Sequence, residues 1–206
     1  MKELFVWLVI AVMLFDSLWY IMQIRRRKIT PALSTWIIFV LGTGLSLATY
    51  AIAENHDFQS GVLNTMDTGV CIIILLTLVI GGERGLKFKP FEKWYLMGIG
   101  LVVAYGVLTG DAWSSNIFTQ VLISIGYIPT VHNLIKEKRN TESFVTWTGG
   151  LLTGMLALYP SIVGGNTLAA VYSIRTIVLV SIMLLFMSYY QIKTANAKKK
   201  EKTHES

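Results

Sequence analysis

Seven apolar stretches, separated by short polar or charged runs, set the pattern of this chain. They fall at about 4–22, 31–53, 61–81, 94–109, 113–135, 144–159 and 166–190. Most reach the ~18 apolar residues that mark a candidate membrane-spanning helix. None alternates as a barrel strand would, and a backbone in hydrocarbon must satisfy its own hydrogen bonds, so each is expected to be helical. The fourth is the weakest, being short and carrying Gly98, Gly100, Gly106 and Gly110. The predicted fold class is an all-α integral membrane protein with seven spanning helices.

The polar runs orient those helices. Arg25, Arg26, Arg27 and Lys28 follow the first; Arg84, Lys87, Lys89 and Lys93 follow the third. Lys136, Lys138 and Arg139 follow the fifth, and Lys193, Lys198, Lys199, Lys200 and Lys202 the seventh. Of the 18 basic residues, all but Lys2 and Arg175 therefore fall at one end. The opposite loops carry Glu54, His56, Asp57 and Asp111. Basic loops stay cytoplasmic, so the N-terminus is expected outside and the C-terminus inside a bacterial-type plasma membrane.

Composition agrees. The 206 residues are only 15% charged, against about a quarter in soluble chains, and the mean hydropathy is +0.57. The formal charge of +6 sits at helix ends, where membrane topology demands it, so nucleic acid is not an expected partner. The first stretch has one lysine ahead of the acidic Glu3 and no small-residue cleavage site after it. It is therefore expected to be a retained helix rather than a signal peptide. Cys71 is the one cysteine, which rules out an intrachain disulfide.

Two stretches repeat one another. Tyr20 to Trp36 and Tyr127 to Trp147 each run from an apolar segment through a basic linker into the next. Aligned ungapped, Thr30 lies over Thr141, Leu33 over Phe144, Thr35 over Thr146 and Trp36 over Trp147. After a four-residue gap, Tyr20, Met22 and Gln23 lie over Tyr127, Pro129 and Thr130. Further on, Asn64, Asp67 and Thr68 fall over Tyr172, Arg175 and Thr176. Thr30 before Pro31, and Thr141 before Glu142, are comparable helix starts. Gly42/Ser46 and Gly150/Gly154 supply matching small-residue spacings for close helix approach. The expected organisation is thus 3+1+3. A first triple-helix unit (1–82) is joined by a loop and linker helix (83–112) to a second (113–192), parallel to it about an axis along the membrane normal. A basic tail (193–206) is expected to be disordered.

This arrangement resembles the PQ-loop, or SWEET-like, transporters, a group that includes SWEETs, SemiSWEETs, cystine and cationic amino-acid exporters and the KDEL receptor. Their unit carries a Tyr-x-Pro-Gln step, a basic linker and a Ser/Thr-rich start to the second helix. Here the second copy keeps the proline (Pro129, with Thr130 after it) and the first keeps the glutamine (Gln23, with Met22 before it). The resemblance implies a central site between the two units, alternating access, and gate or hinge roles for Gln23, Pro129 and Thr130.

The residues themselves mark a site. A charge near the bilayer centre costs ~2.5–3.5 kcal/mol on insertion scales, so Asp67 and Arg175 need a cavity or a partner. Each heads a polar face, with Asn64, Thr68 and Cys71 beside Asp67 and with Tyr172 and Thr176 beside Arg175. They contact cargo or they bridge to one another. In SWEETs, by the resemblance, asparagines of these third helices line the sugar site. An acid and a base here point to a charged or zwitterionic cargo instead. Asp16, alone in the first helix, is a candidate proton-coupling group, or it is hydrogen-bonded to Ser17 or a neighbouring helix. Pro129 either kinks the fifth helix or ends it. Trp36 and Trp147 belong to the interfacial belt or to a cavity wall. His132 has no ligand partner at metal spacing. No metal, cofactor or enzyme motif is present, and a retinal protein would need a lysine in the membrane core.

The expected function is transport of a small polar, charged or zwitterionic metabolite between the two units, with the bilayer and that small molecule as partners and homo-oligomerisation left open. The alternatives are a membrane receptor on the same scaffold, and a transporter of a sugar or of a nicotinamide riboside-type vitamin.

Overall fold

The computed structural model describes residues 1–27, 33–54, 57–81, 88, 90–138, 140 and 142–204. Among them are eight helices and no strand. They are α1 (Lys2–Arg25), α2 (Leu33–Ala53), α3 (Val62–Ile80), α4 (Pro90–Thr109), α5 (Ala112–Ile125), α6 (Ile128–Glu137), α7 (Phe144–Val163) and α8 (Thr167–His204). Five of these, α1 to α4 and the Thr167–Thr194 part of α8, are long and apolar enough to cross a membrane. The starts expected at Thr30 and Pro31 and at Thr141 lie outside the described residues, as do Lys28, His56, Arg84, Lys87, Lys89 and Arg139.

The all-helical class holds, and four boundaries differ from the sequence reading. The fifth apolar stretch is two helices. Pro129 has no N–H for the Ile125 carbonyl; the Tyr127 N–H turns back to the Ser124 carbonyl at 3.2 Å, and α6 starts afresh. At the matched position α1 has Met22 and runs unbroken. By contrast α7 continues through Pro160 to Val163, past the expected end at Tyr159. There the Ser161 hydroxyl bonds to the Ala157 carbonyl at 2.8 Å, and the Gly164 N–H donates to the Pro160 carbonyl at 3.0 Å. The α7 N-cap is Ser143, whose Oγ accepts from the Thr146 N–H, so Glu142 precedes the helix instead of joining its first turn. Finally, the tail expected to be disordered is helical through His204; its Ala, Lys and Glu residues are strong helix formers.

Side-chain polarity is inverted relative to a water-soluble bundle. Trp7, Leu101, Leu108, Ile162 and Leu185 are each more than half exposed, while Ser46, Asn64, Asn116, Thr119 and Gln120 are buried. Asn64, Asn116 and Gln120 converge on Ser46: the Asn64 and Gln120 amides donate to its Oγ at 3.1 and 2.9 Å, and the Asn116 amide to its carbonyl at 2.7 Å. This cluster fastens α3 and α5 to α2.

Packing follows a ring. α3 packs between α1 and α2, α8 packs against α5, α6 and α7, and the ring closes through α1 on α7 and α2 on α5. α4 lies outside it against α2 and α5. Gly98 and Gly106, which weakened the sequence case for this helix, are where it meets α5. An added Cβ there would come within 2.8 Å of Leu122 and 2.7 Å of Ser115. The two small-residue spacings serve different neighbours: Gly42 faces Ile123 of α5 and Tyr95 of α4, whereas Gly150 and Gly154 face Val180 and Ile177 of α8.

Candidate functional site

A cavity of about 350 Å³ lies within the ring, toward the end that carries Arg25 and Lys136. Its wall uses like residues from opposite sides: Tyr20 and Tyr127, Thr35 and Thr146, Trp36 and Trp147. Each tyrosine packs on the tryptophan of its own side, with ring centroids 5.4 Å apart for Tyr20–Trp36 and 5.7 Å for Tyr127–Trp147. Both tryptophans thus line a cavity, one of the two roles open to them. A second space of about 190 Å³ shares Tyr20, Trp36, Asp67, Cys71 and Thr146 and extends to Asp16.

Asp67 and Arg175 are not an ion pair. Tyr172 separates them: its hydroxyl donates to Asp67 Oδ2 at 2.5 Å, and the Arg175 guanidinium stacks on its ring, 4.1 Å from the centroid. Asp67 lines the cavity, and its Oδ1 takes no hydrogen bond from any described residue. Arg175 is not among the residues that line that wall. It donates to Thr176 Oγ1 at 3.3 Å, while its Nε and Nη1 are buried without a partner among the described residues.

The other expected contacts scatter. Asn64 is taken up by Ser46, and Thr68 bonds back to the Asn64 carbonyl, off the cavity wall. Thr176 bonds back to the Tyr172 carbonyl. Thr130, at the start of α6, is on the wall, whereas Gln23 lies within unbroken α1 and is not. The chain breaks at Gly126 and Tyr127, just ahead of Pro129, and both of those residues line the cavity. His132 is exposed on α6. Asp16 is seated on the backbone of Gly149 in α7, where an added Cβ would come within 1.6 Å of its Oδ2. The expected bond to Ser17 is not made, since that hydroxyl goes to the Leu14 carbonyl.

Glu142 is the wall residue that sequence reasoning missed. It lines the cavity and accepts the Trp147 indole N–H at 3.3 Å. Burial pushes its carboxyl above the ordinary carboxylate range, and the Trp147 bond offsets only part of that. Nothing in the linker sequence separated it from Glu137. On the outer side of the same wall, Thr35 and Ser34 donate to Glu92 of α4 at 3.1 and 3.0 Å, fixing the start of α2.

The opposite end is sealed. Lys2 donates to Ser60 Oγ at 3.0 Å and lies 3.6 Å from Asp57. Ser60 Oγ donates to the Pro160 carbonyl at 3.2 Å, and the Ser161 hydroxyl donates to the Ser60 carbonyl at 3.0 Å. Tyr50 donates to the Asp57 carbonyl at 2.6 Å and accepts from Asn166 at 2.9 Å. Burial alone would raise the Asp57 carboxyl, but its bonds from Ser60 and the Lys2 ammonium hold it below the usual range. Bonds thus run from α1, α2 and the start of α3 to the end of α7 and the start of α8.

No family model matches the chain, and neither a curated protein nor a solved structure matches it.

Proposed function

We propose that the chain is a membrane transporter, carrying a small charged metabolite by alternating access between two parallel three-helix units. α1–α3 form the first, α5–α8 the second, and α4 links them across the bilayer. The observation that carries the reading is the cavity wall, built from equivalent residues of the two sequence copies, with a carboxylate from each half (Asp67 and Glu142) beside them. The packing order supports it: in both units the third helix lies between the first and the second, and each first helix meets the other unit's second. A site on such an axis is reached from either side by rocking one unit against the other. With one end sealed and the cavity toward the basic end, the arrangement corresponds to a cytoplasm-facing state, given the orientation that the basic loops favour.

The test is reconstitution. Proteoliposomes loaded with amino acids, sugars, nucleosides and vitamins should lose one class faster than protein-free vesicles. Arg175→Gln and Asp67→Asn should abolish that flux while the protein stays folded by circular dichroism. Absence of protein-dependent flux for every class would overturn the transporter reading.

A further inference from the structure

Resting on that reading, we infer that the cargo is a monovalent organic cation, seated between Trp36 and Trp147 with its charge on an aromatic or methylated nitrogen. Three features of the wall carry this. The aromatic rings come in two pairs from opposite sides, and indole faces attract cations better than any other side-chain ring. Among the described residues the wall holds two carboxylates, Asp67 and Glu142, and no lysine, arginine or histidine. One oxygen of Asp67 takes no hydrogen bond from any described residue.

Charge accounting sets the valence. Asp67 and Glu142 bring two negative charges when ionised. Arg175, stacked on the far side of the tyrosine that holds Asp67, balances one of them. One cationic charge on the cargo balances the other. In a low-dielectric site an uncompensated charge is costly, so a neutral sugar leaves the wall unbalanced and an anion worsens it. A zwitterion fares little better. Its carboxylate would need Arg175, which does not line the cavity and whose Nε and Nη1 are buried. The volume of about 350 Å³ admits a small cargo only.

Purified full-length protein in nanodiscs tests the inference through tryptophan fluorescence and calorimetry. The probes are choline, its neutral isostere 3,3-dimethylbutan-1-ol, its carboxylate counterpart glycine betaine, 1-methylpyridinium, D-glucose and L-glutamate. Choline or 1-methylpyridinium should bind at least about tenfold more tightly than the isostere, betaine, glucose or glutamate. Asp67→Asn and, separately, Glu142→Gln should weaken it by at least about tenfold. Trp36→Leu and Trp147→Leu should do likewise, with Trp→Phe at either site recovering part of the loss. Equal binding of choline and its isostere would overturn the inference. So would binding of betaine, glucose or glutamate without the cations, or no binding by any probe to protein that melts cooperatively. Choline or 1-methylpyridinium counterflow in proteoliposomes separates the two claims. A cation bound but not carried would refute transport and keep the site; glucose, betaine or glutamate carried without the cations would do the reverse.

Discussion

Replacing Gly149 by alanine should destabilise the protein, and removing Asp16 should restore it. The two residues lie on α1 and α7, which in the proposed architecture belong to different units. A Cβ on Gly149 would come within 1.6 Å of Asp16 Oδ2, 2.4 Å of its Cγ and 2.6 Å of Oδ1. All three distances are below any real Cβ contact, so the whole carboxyl group must move or the helices must part. Asp16 has a short side chain with no described hydrogen-bond partner to redirect, so rotation leaves its carboxyl against the same helix. Overpacking of this kind costs about 1–3 kcal/mol. In Asp16→Ala the three offending atoms are gone. The double variant should therefore recover nearly all of the loss, with a coupling energy of about 1–3 kcal/mol. Thermal melts of detergent-purified single and double variants would measure this. A neutral Gly149→Ala, or an equal loss with and without Asp16, would refute the contact and, with it, the α1–α7 seam.

Two further outcomes are expected. Gly61→Ala should be strongly destabilising, because its Cβ would lie 2.5 Å from the Tyr50 ring that ties Asp57 to Asn166. Limited proteolysis should then cut first at the sealed end; unchanged cleavage would show that the seal does not depend on that packing. Glu142 should make stability fall with rising pH. Its folded carboxyl holds the proton above the ordinary value of 4.5, so the folded chain binds more protons than the unfolded one in the window above that value. The contribution is complete below the window and lost as pH rises through the folded value. Glu142→Gln should flatten that part of the melting-temperature profile, and an unchanged slope would exclude Glu142 as its source.

Much of this was legible in the sequence because long apolar stretches leave few options besides helices. Apolar length read out the helices, and the paired tyrosines, threonines and tryptophans of the two linkers reappear together on one cavity wall. What failed to show were consequences of neighbours. Pro129 and Pro160 look alike in sequence, yet the chain breaks just ahead of one and α7 is carried through the other. Asn64 reads like a cargo ligand at its repeat position, and only packing reveals Ser46 waiting for it. Glu142 reads as a helix-start acid until Ser143 takes the cap.

The separation of Asp67 from Arg175 is the feature that most constrains mechanism. A buried acid and base at the positions aligned between the two linker copies of the sequence would lower each other's burial cost by pairing. Instead Tyr172 stands between them, bonding to one and stacking under the other, and two guanidinium nitrogens are buried without a partner among the described residues. An arrangement that leaves donors unpaired is held there by something else in the fold, or belongs to a state that another state relieves. Here α3 supplies the acid and α8 the base, the middle helices of the two proposed units. Under the proposed transport, rocking one unit on the other would alter the distance between those helices directly. Pairing Arg175 with Asp67 in the alternate state would withdraw the carboxylate from the cavity just as the site opened to the other side. A cargo cation would then lose Asp67 as a contact and keep only Glu142, which under the proposed transport would couple its departure to the motion of α8 against α3.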